Sequence, residues 1–508
     1  MSLTPLEARL TEEVAAQRQE IKLLREKIDL LVRRIFGRSS EAMDDAQLML
    51  LLQGDDGAKK DLASSANPGV LEAELEKQTA AAKTRQPRKG REVRVPEHLP
   101  TVEEVIEPQE VKATPEAWRW MGEEVTEQLD YEPAKFLRRR IIRRKYVKRE
   151  EPHQPPVIAP LTTLQERSLA APGLLAAIIV GKYCDHLPLY RQEQIYATRH
   201  GVDMPRQSMA RWLALAADWL TPVYEQIRSG VMDGGYVQVD ETPMEYLSPG
   251  HGQTKQGYLW TCKRPGADVC FTWATTRSAA CLDNILPADF SGTVQCDGYA
   301  AYPAYARSRE GLVLAGCWAH VRRKFYEAKD SAQQQAGWVL LQIGHLYRIE
   351  AQFKESRAGP RLRQAVRTAE SRPIMARLHQ ALSRLKLSRH HLPKSAFGRA
   401  MDYALSLWPM LGVYVKDGRV EIDNNPVENA IRPTAIGKKN WLFIGDADAG
   451  QRSAILYTII ESCRSRGLDP WAYLRDVLTR LPTMTNRQVK DITPKAWAEA
   501  RKLKQKAA

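Results

Sequence analysis

The sequence predicts a multidomain α+β protein: an N-terminal coiled-coil helix, a small strand-rich module, a helix-turn-helix region, and a strand-built core interrupted by helices. Three observations carry this. The chain has 508 residues, too many for one ordinary core and enough for about three domains. Its texture shifts along its length, from a heptad period to polar linker, then strands, helices, strands and helices again. Its balance of 43% hydrophobic and 27% charged residues is that of soluble globular protein.

Residues 1–45 read as a coiled-coil dimerisation helix. Leu10, Val14, Gln17, Ile21, Leu24, Ile28, Leu31 and Ile35 alternate spacings of four and three, and Gln17 is the polar entry that can set register. Residues 46–100 lose periodicity; GDDGAKKDLASSANPG and KTRQPRKGREVRVPEHLP are linker-like. Residues 101–160 form a strand-rich unit around FLRRRIIRRKYVKRE. There Arg138, Arg139, Arg140, Arg143, Arg144 and Lys145 crowd together with Phe136, Ile141, Ile142 and Tyr146 between them. One dominant sign with interleaved apolar residues predicts phosphate contact.

Residues 161–230 are helical. LYRQEQIYATRHGVDMPRQSMARWLALAADWL contains a helix, a turn with Gly201 and a second helix opening near Pro205. That is a helix-turn-helix pattern, with Arg206, Gln207, Ser208 and Arg211 at the front of the second helix. From 231 to 321 strands dominate: three adjacent in a meander, then two more after a helix-sized gap around SAACLDNILP. Residues 322–415 turn helical. Residues 416–480 hold VEIDNNPVENAIRPTAIGKKNWLFIG and a long helix, and 481–508 are a basic tail.

Composition narrows the function classes. No apolar run nears the roughly 20 residues that span a bilayer, and MSLTPLEARLTEEV is polar and acidic where a signal peptide is basic and then apolar. A cytoplasmic protein with no membrane partner is expected. The seven cysteines are scattered and never form a CxxC pair, which argues against a disulfide framework and a cysteine-only zinc site. A net charge of +14 and a pI near 9.3 point to a polyanionic partner.

The residues that suggest chemistry are acidic. Asp240 ends the apolar run YVQVD, Asp297 ends TVQCD, and Glu428 follows Asn425 and Pro426, a cap residue and a first-turn proline. Two aspartates at strand tips and a glutamate on a helix make an oxygen-rich site suited to Mg²⁺ or Mn²⁺. Without cations each carboxylate pair would repel by roughly 3 kcal/mol at ~5 Å and an effective dielectric of ~20. Two ions ~4 Å apart would serve both hydrolysis and strand transfer at a phosphodiester. Acids at strand ends more often are solvated or cap turns, and the chain holds 61 of them. Glu241 and Asp423 are alternative ligands. Strand alternation puts Asp240 and Glu241 on opposite faces, so both cannot enter one site.

The phrases VDETPMEYL, CDGYAAYPAY, GCWAHVRRKF and, most specific, IDNNPVENAIRPTAIGKKNWLFIG resemble the insertion-sequence-66 family of DDE-type transposases. IFGRSSE and HLPLYRQEQIYATRHGV add to the likeness, which runs from about residue 21 to 480. The resemblance implies an RNase H-like catalytic domain with a helical insertion, with Asp240, Asp297 and Glu428 as its metal-binding carboxylates. It implies two-metal cleavage and strand transfer at the ends of an insertion sequence. The expected partners are double-stranded DNA (terminal inverted repeats and target), a second copy of the chain and small accessory proteins, in a bacterial cytoplasm at the nucleoid. Arg432, Lys438 and Lys439 look like phosphate contacts; the alternative for Arg432, one helical turn past Glu428, is an ion pair with it. Trp441 is a base-stacking or a core residue. Cys317 and His320, spaced CxxH, are half a zinc site and are expected to pack or scaffold.

The sequence departs from the family at one place. Members of this family often carry a zinc-ribbon-like module with two CxxC pairs around a phrase like GEEVTEQLDYEPAKF. Here the phrase stands at 122–136, but the matching positions hold Val111, Thr114, Lys148 and Glu151. No structural zinc is expected, and Trp118, Trp120, Leu129 and Phe136 are candidates to hold the module by packing. Two other readings compete: a DNA-binding regulator whose trio is silent, and a metal-dependent nuclease that cuts without joining.

Overall fold

The computed structural model describes residues 95, 99–132, 135–150, 153–248, 250 and 252–507. The predicted coiled-coil seam lies outside the described residues, as does nearly all of the predicted linker. The chain divides into two compact units. Among the described residues, one holds Val93–Arg323, Leu341–His379 and Ala404–Ala508, and the other holds Lys324–Leu340 and Gln380–Tyr403. Among the described residues no helix is long and apolar enough to cross a membrane.

Four strands open the larger unit: β1 (Thr101–Ile106), β2 (Trp118–Glu132), β3 (Lys135–Lys148) and β4 (Val157–Ile158). Their order is β1-β3-β2, with β4 also on β3. β2 and β3 form a long antiparallel ribbon with a bulge between Trp120 and Gly122. Val111, Trp118 and Tyr146 build a small core with Val157 against it. Val111 stands at one of the four positions where the family pattern has cysteine, so an apolar contact is made there. Of the other candidates, Trp120 is 59% exposed and holds nothing. Leu129 and Phe136 are buried in the main core instead. There Phe136 packs edge-on against Tyr131, Tyr196 and His200, each 5.2 Å between ring centres.

Three helices follow: α1 (Pro172–Tyr183), α2 (Leu189–His200) and α3 (Arg206–Met232). α1, PGLLAAIIVGKY, is apolar nearly all round and buried nearly all round. α2 ends on Gly201 at φ 65°, ψ 21°, a left-handed cap that glycine adopts without Cβ strain. Val202, Met204 and Met209 are fully buried and pin the turn into α3.

The second sheet comprises β5 (Tyr236–Leu247), β6 (Thr254–Lys263), β7 (Val269–Ala274), β8 (Gly292–Gln295) and β9 (Leu312–Ala315). Its order is β7-β6-β5-β8-β9. β5, β6 and β7 form the antiparallel meander, while β8 and β9 run parallel to β5. The connections carry α4 (Cys281–Ile285) and α5 (Ala301–Arg307).

From α6 (Trp318–Glu327) to residue 416 the chain is helical: α7 (Gln333–Glu355), α8 (Pro360–Val366), α9 (Arg372–Leu387), α10 (Ala396–Ser406) and two one-turn helices. Between α8 and α9 the turn Arg367–Ser371 is π-helical. There Arg367, with no exposed surface, bonds Glu350 through Nε and Nη2 at 2.7 Å each. Its Nη1 donates to the carbonyls of Tyr414, Asp417 and Val420. In the smaller unit Phe325 and Phe397 pack edge-on, 5.5 Å apart.

The chain closes with α11 (Asn425–Trp441), α12 (Ala447–Ser465), α13 (Pro470–Arg480) and α14 (Pro494–Ala507). α12 lies on β7, where Thr458 Oγ1 accepts from the Phe271 amide at 2.8 Å and Ser462 Oγ donates to the Val269 carbonyl at 3.2 Å. α3 meets the same strand through the Tyr224 hydroxyl, 3.0 Å from the Phe271 carbonyl.

Candidate carboxylate site and nucleic-acid surfaces

Asp240 does not end its strand. It lies inside the 12-residue β5, which continues through ETPMEYL on β6. It nonetheless reaches an edge, because β8 pairs with β5 only from Tyr236 to Gln238. Beyond that register the parallel neighbour is gone, and Pro243 is tolerated for the same reason. Asp297 stands two residues past the end of β8, with its Oδ1 accepting from the Tyr299 amide at 2.9 Å.

Glu428 sits in the first turn of α11. The cap position is Asn424, one residue earlier than the sequence suggests, and the side chain that serves it is Asp423. Asp423 accepts from the Asn425 amide at 3.2 Å, from Asn425 Nδ2 at 2.8 Å and from the Tyr347 hydroxyl at 2.9 Å.

Two glutamines that sequence reasoning missed bring these segments together. Gln238 and Gln295 each stand two residues before an aspartate, and both are fully buried. Gln238 Nε2 donates to Gln295 Oε1 at 3.0 Å and to the Asp423 carbonyl at 2.9 Å. Gln295 Nε2 donates to the carbonyls of Glu421 at 2.8 Å and Gly316 at 3.0 Å. The Tyr236 hydroxyl donates to Gln295 Oε1 at 2.7 Å and accepts from the Glu421 amide at 3.0 Å. The strands bearing the aspartates are thus bonded to the backbone that leads into the glutamate helix. The signal was present as the matched phrases VQVD and VQCD: an amide buried in an apolar strand needs partners.

The electrostatics follow. Burial pushes the Asp240 carboxyl up to about 8, with Glu241, Asp297 and Glu428 all adding to the rise. The charges of both other predicted ligands therefore reach Asp240. The neighbouring acids are engaged elsewhere. Glu241 is held by Arg277, whose Nε donates to Oε1 at 2.6 Å, and by the Tyr302 hydroxyl at 2.8 Å. Arg277 in turn lies 3.6 Å over the Tyr299 ring. Glu428 pairs with Arg323 at 3.7 Å and faces His320 Nε2 at 3.6 Å. Among the described residues, the three donors that converge within 4.8 Å are Cys317, His320 and Glu428.

The cations divide into three groups. At the front of α3, Arg206, Gln207 and Arg211 are exposed. Along β3 the positive run is countered. Arg138 meets Glu127 at 2.5 Å, Arg139 Glu104 at 2.6 Å and Arg140 Glu103 at 2.8 Å. Arg143 meets Glu124 at 3.1 Å, Arg144 Glu107 at 3.4 Å, and Lys145 approaches Glu124 at 4.0 Å. On α11, Arg432 and Lys439 are exposed, and Arg432 is not the partner of Glu428. Lys438 Nζ instead donates to the Pro243 carbonyl at 2.9 Å, and burial lowers its affinity for protons. Trp441 is half-buried, edge-on to Tyr183.

Comparison with known proteins assigns the chain. Residues 167–452 match the family described as "Transposase IS66 family". Residues 458–494 match the "IS66 C-terminal element", and residues 23–104 the "Transposase C of IS166 homeodomain". The last puts a DNA-binding description on residues read from sequence as coiled coil and linker. "Uncharacterized protein y4qI" of Sinorhizobium fredii is 37% identical over 417 residues, 78% of this chain and 74% of its own. "Uncharacterized protein y4jD" of the same organism is 33% identical over 421 residues, 79% of this chain and 81% of its own. The chain belongs to the IS66 family of transposases.

Proposed function

We propose that this protein is a DNA transposase that binds the ends of an insertion sequence and cuts and rejoins DNA at Asp240, Asp297 and Glu428. The observation that carries the reading is the buried Asp240 carboxyl, driven up to about 8 by burial and by carboxylates that include Asp297 and Glu428. Cations drawn between these acids would offset both the desolvation of Asp240 and the mutual repulsion. The three residues would hold two Mg²⁺ or Mn²⁺ ions, which when bound supply Lewis-acid stabilisation and a more acidic nucleophile at a scissile phosphate.

The chain's own residues do the rest. Gln238 and Gln295 fix the two strands against the segment before α11, Arg277 holds Glu241 out of the centre, and His320 and Arg323 orient Glu428. The strand order, antiparallel on one side of β5 and parallel on the other, supports reading this sheet as an RNase H-like core with the helices after β9 as its insertion. We place DNA contacts at Arg206, Gln207 and Arg211 and at Arg432 and Lys439. The cations of β3 would contribute only by exchanging glutamates for phosphates. Dimerisation through residues 1–45, accessory proteins and action in the bacterial cytoplasm complete the reading.

The test is strand transfer of labelled element ends by purified protein with Mg²⁺. Asp240→Asn, Asp297→Asn and Glu428→Gln are expected to abolish cleavage while DNA binding stays within about twofold, since none touches the proposed phosphate contacts. Cleavage that never proceeds to joining would select a nuclease instead, and unimpaired cleavage by the variants would overturn the site.

A further inference from the structure

We propose that Cys317, His320 and Glu428 form a second metal site, separate from the two aspartates, that takes a zinc-class ion. The Cys317 sulfur, a His320 ring nitrogen and a Glu428 carboxylate oxygen all lie within 4.8 Å of one another, and His320 Nε2 is 3.6 Å from Glu428 Oε1. One thiol, one imidazole and one carboxylate is a donor mix for Zn²⁺ rather than for Mg²⁺, which prefers oxygen throughout. Zinc bonds of about 2.0–2.3 Å in a tetrahedron place ligand atoms roughly 3.5 Å apart. Modest side-chain rotation would close the group on an ion, leaving the fourth position to water.

Three features of the surroundings support this. The donors come from two rigid elements: Cys317 and His320 from the start of α6, Glu428 from the first turn of α11. These elements are tied together, since the Asn424 amide donates to the Cys317 sulfur at 3.5 Å. Cys317 is 1% exposed whereas the side chains of His320 and Glu428 keep 20% and 26% of their surface, so one side admits an ion and the other shields the sulfur. Glu428 Oε1 and both ends of the Asn424 side-chain amide are buried without hydrogen-bond partners. Arg323 faces the other oxygen of Glu428 at 3.7 Å, leaving Oε1 for the ion. On binding, the Cys317 thiol proton leaves to solvent and the thiolate becomes the ligand.

The proposal shares Glu428 with the proposed catalytic site but uses neither Asp240 nor Asp297, and its test reads metal binding rather than DNA cleavage, so the two can fail separately. Co²⁺ titrated into chelator-stripped full-length protein is expected to give a thiolate-to-cobalt charge-transfer band in the near ultraviolet. Zn²⁺ is expected to compete that band away. Cys317→Ser should abolish the band and weaken Zn²⁺ binding roughly 100-fold or more, and His320→Gln, checked for native circular dichroism, should weaken it likewise. Asp240→Asn should keep both the band and the affinity. A wild-type protein without the band, a Cys317→Ser protein that keeps it, or an Asp240→Asn protein that loses it would overturn the proposal.

Discussion

Replacing Asp240 by asparagine removes a carboxyl that the metal-free fold keeps protonated across most of the physiological range. In the unfolded chain that carboxyl releases its proton near 3.8, whereas in the fold it does so near 8. Between those values the native state binds the extra proton, so stability falls as pH rises through the window and is least above it. The full displacement corresponds to about 6 kcal/mol. Water entering the site reduces this to about 2–4 kcal/mol. The assay is urea unfolding of chelator-treated protein at pH 5 and pH 8, wild type beside Asp240→Asn. Asp423 and Glu461 are also raised and contribute a slope common to both proteins, so the difference reads Asp240 together with its coupling to the adjacent Glu241. Wild type should lose about 2–4 kcal/mol more than the variant over that range, and millimolar Mg²⁺ at pH 8 should close the gap. Identical pH slopes in the two proteins would refute the reasoning.

Three further outcomes are expected. Gln295→Leu strands the carbonyls of Gly316 and Glu421 and should cost about 2–3 kcal/mol in denaturant unfolding, with cleavage lost while DNA binding persists; a variant of wild-type activity would show that the glutamines do not position the site. Arg367→Met leaves Glu350 buried beside an apolar group and should destabilise by about 3–5 kcal/mol, read from the urea midpoint; a shift under about 1 kcal/mol would contradict the buried pair. Arg206→Ala and Arg211→Ala should each lower the salt slope of DNA binding by about one, whereas Arg139→Ala, already paired with Glu104, should change it little. Equal slopes in all three would move the DNA contact to β3.

Much of this was legible in the sequence, and the rest failed for definable reasons. The meander and the two later strands follow from β-branched runs and their spacing, and the turn at Gly201 follows from a residue that tolerates positive φ. What local pattern does not show is register. Asp240 looks like a strand end because the apolar alternation stops there, yet the strand continues, since β6 still pairs with it after β8 has ended. The cations of β3 look like a one-signed face, but Glu103, Glu104, Glu124 and Glu127 come opposite them only once β1 and β2 are aligned on either side. Cys317 looks like half a site because its third companion, Glu428, is more than a hundred residues away and arrives through the bonds of Gln238 and Gln295. Long-range polar pairing carried each correction.

The guanidinium of Arg367 grips three carbonyls between Tyr414 and Val420, immediately upstream of the segment that carries Glu428. The helical stretch that carries Arg367 is therefore not a detachable ornament: it shapes the path by which the final acid returns to the sheet. Trimming it to make a minimal nuclease would free that return path, and shortened versions should fold their strands yet lose the alignment of their third carboxylate.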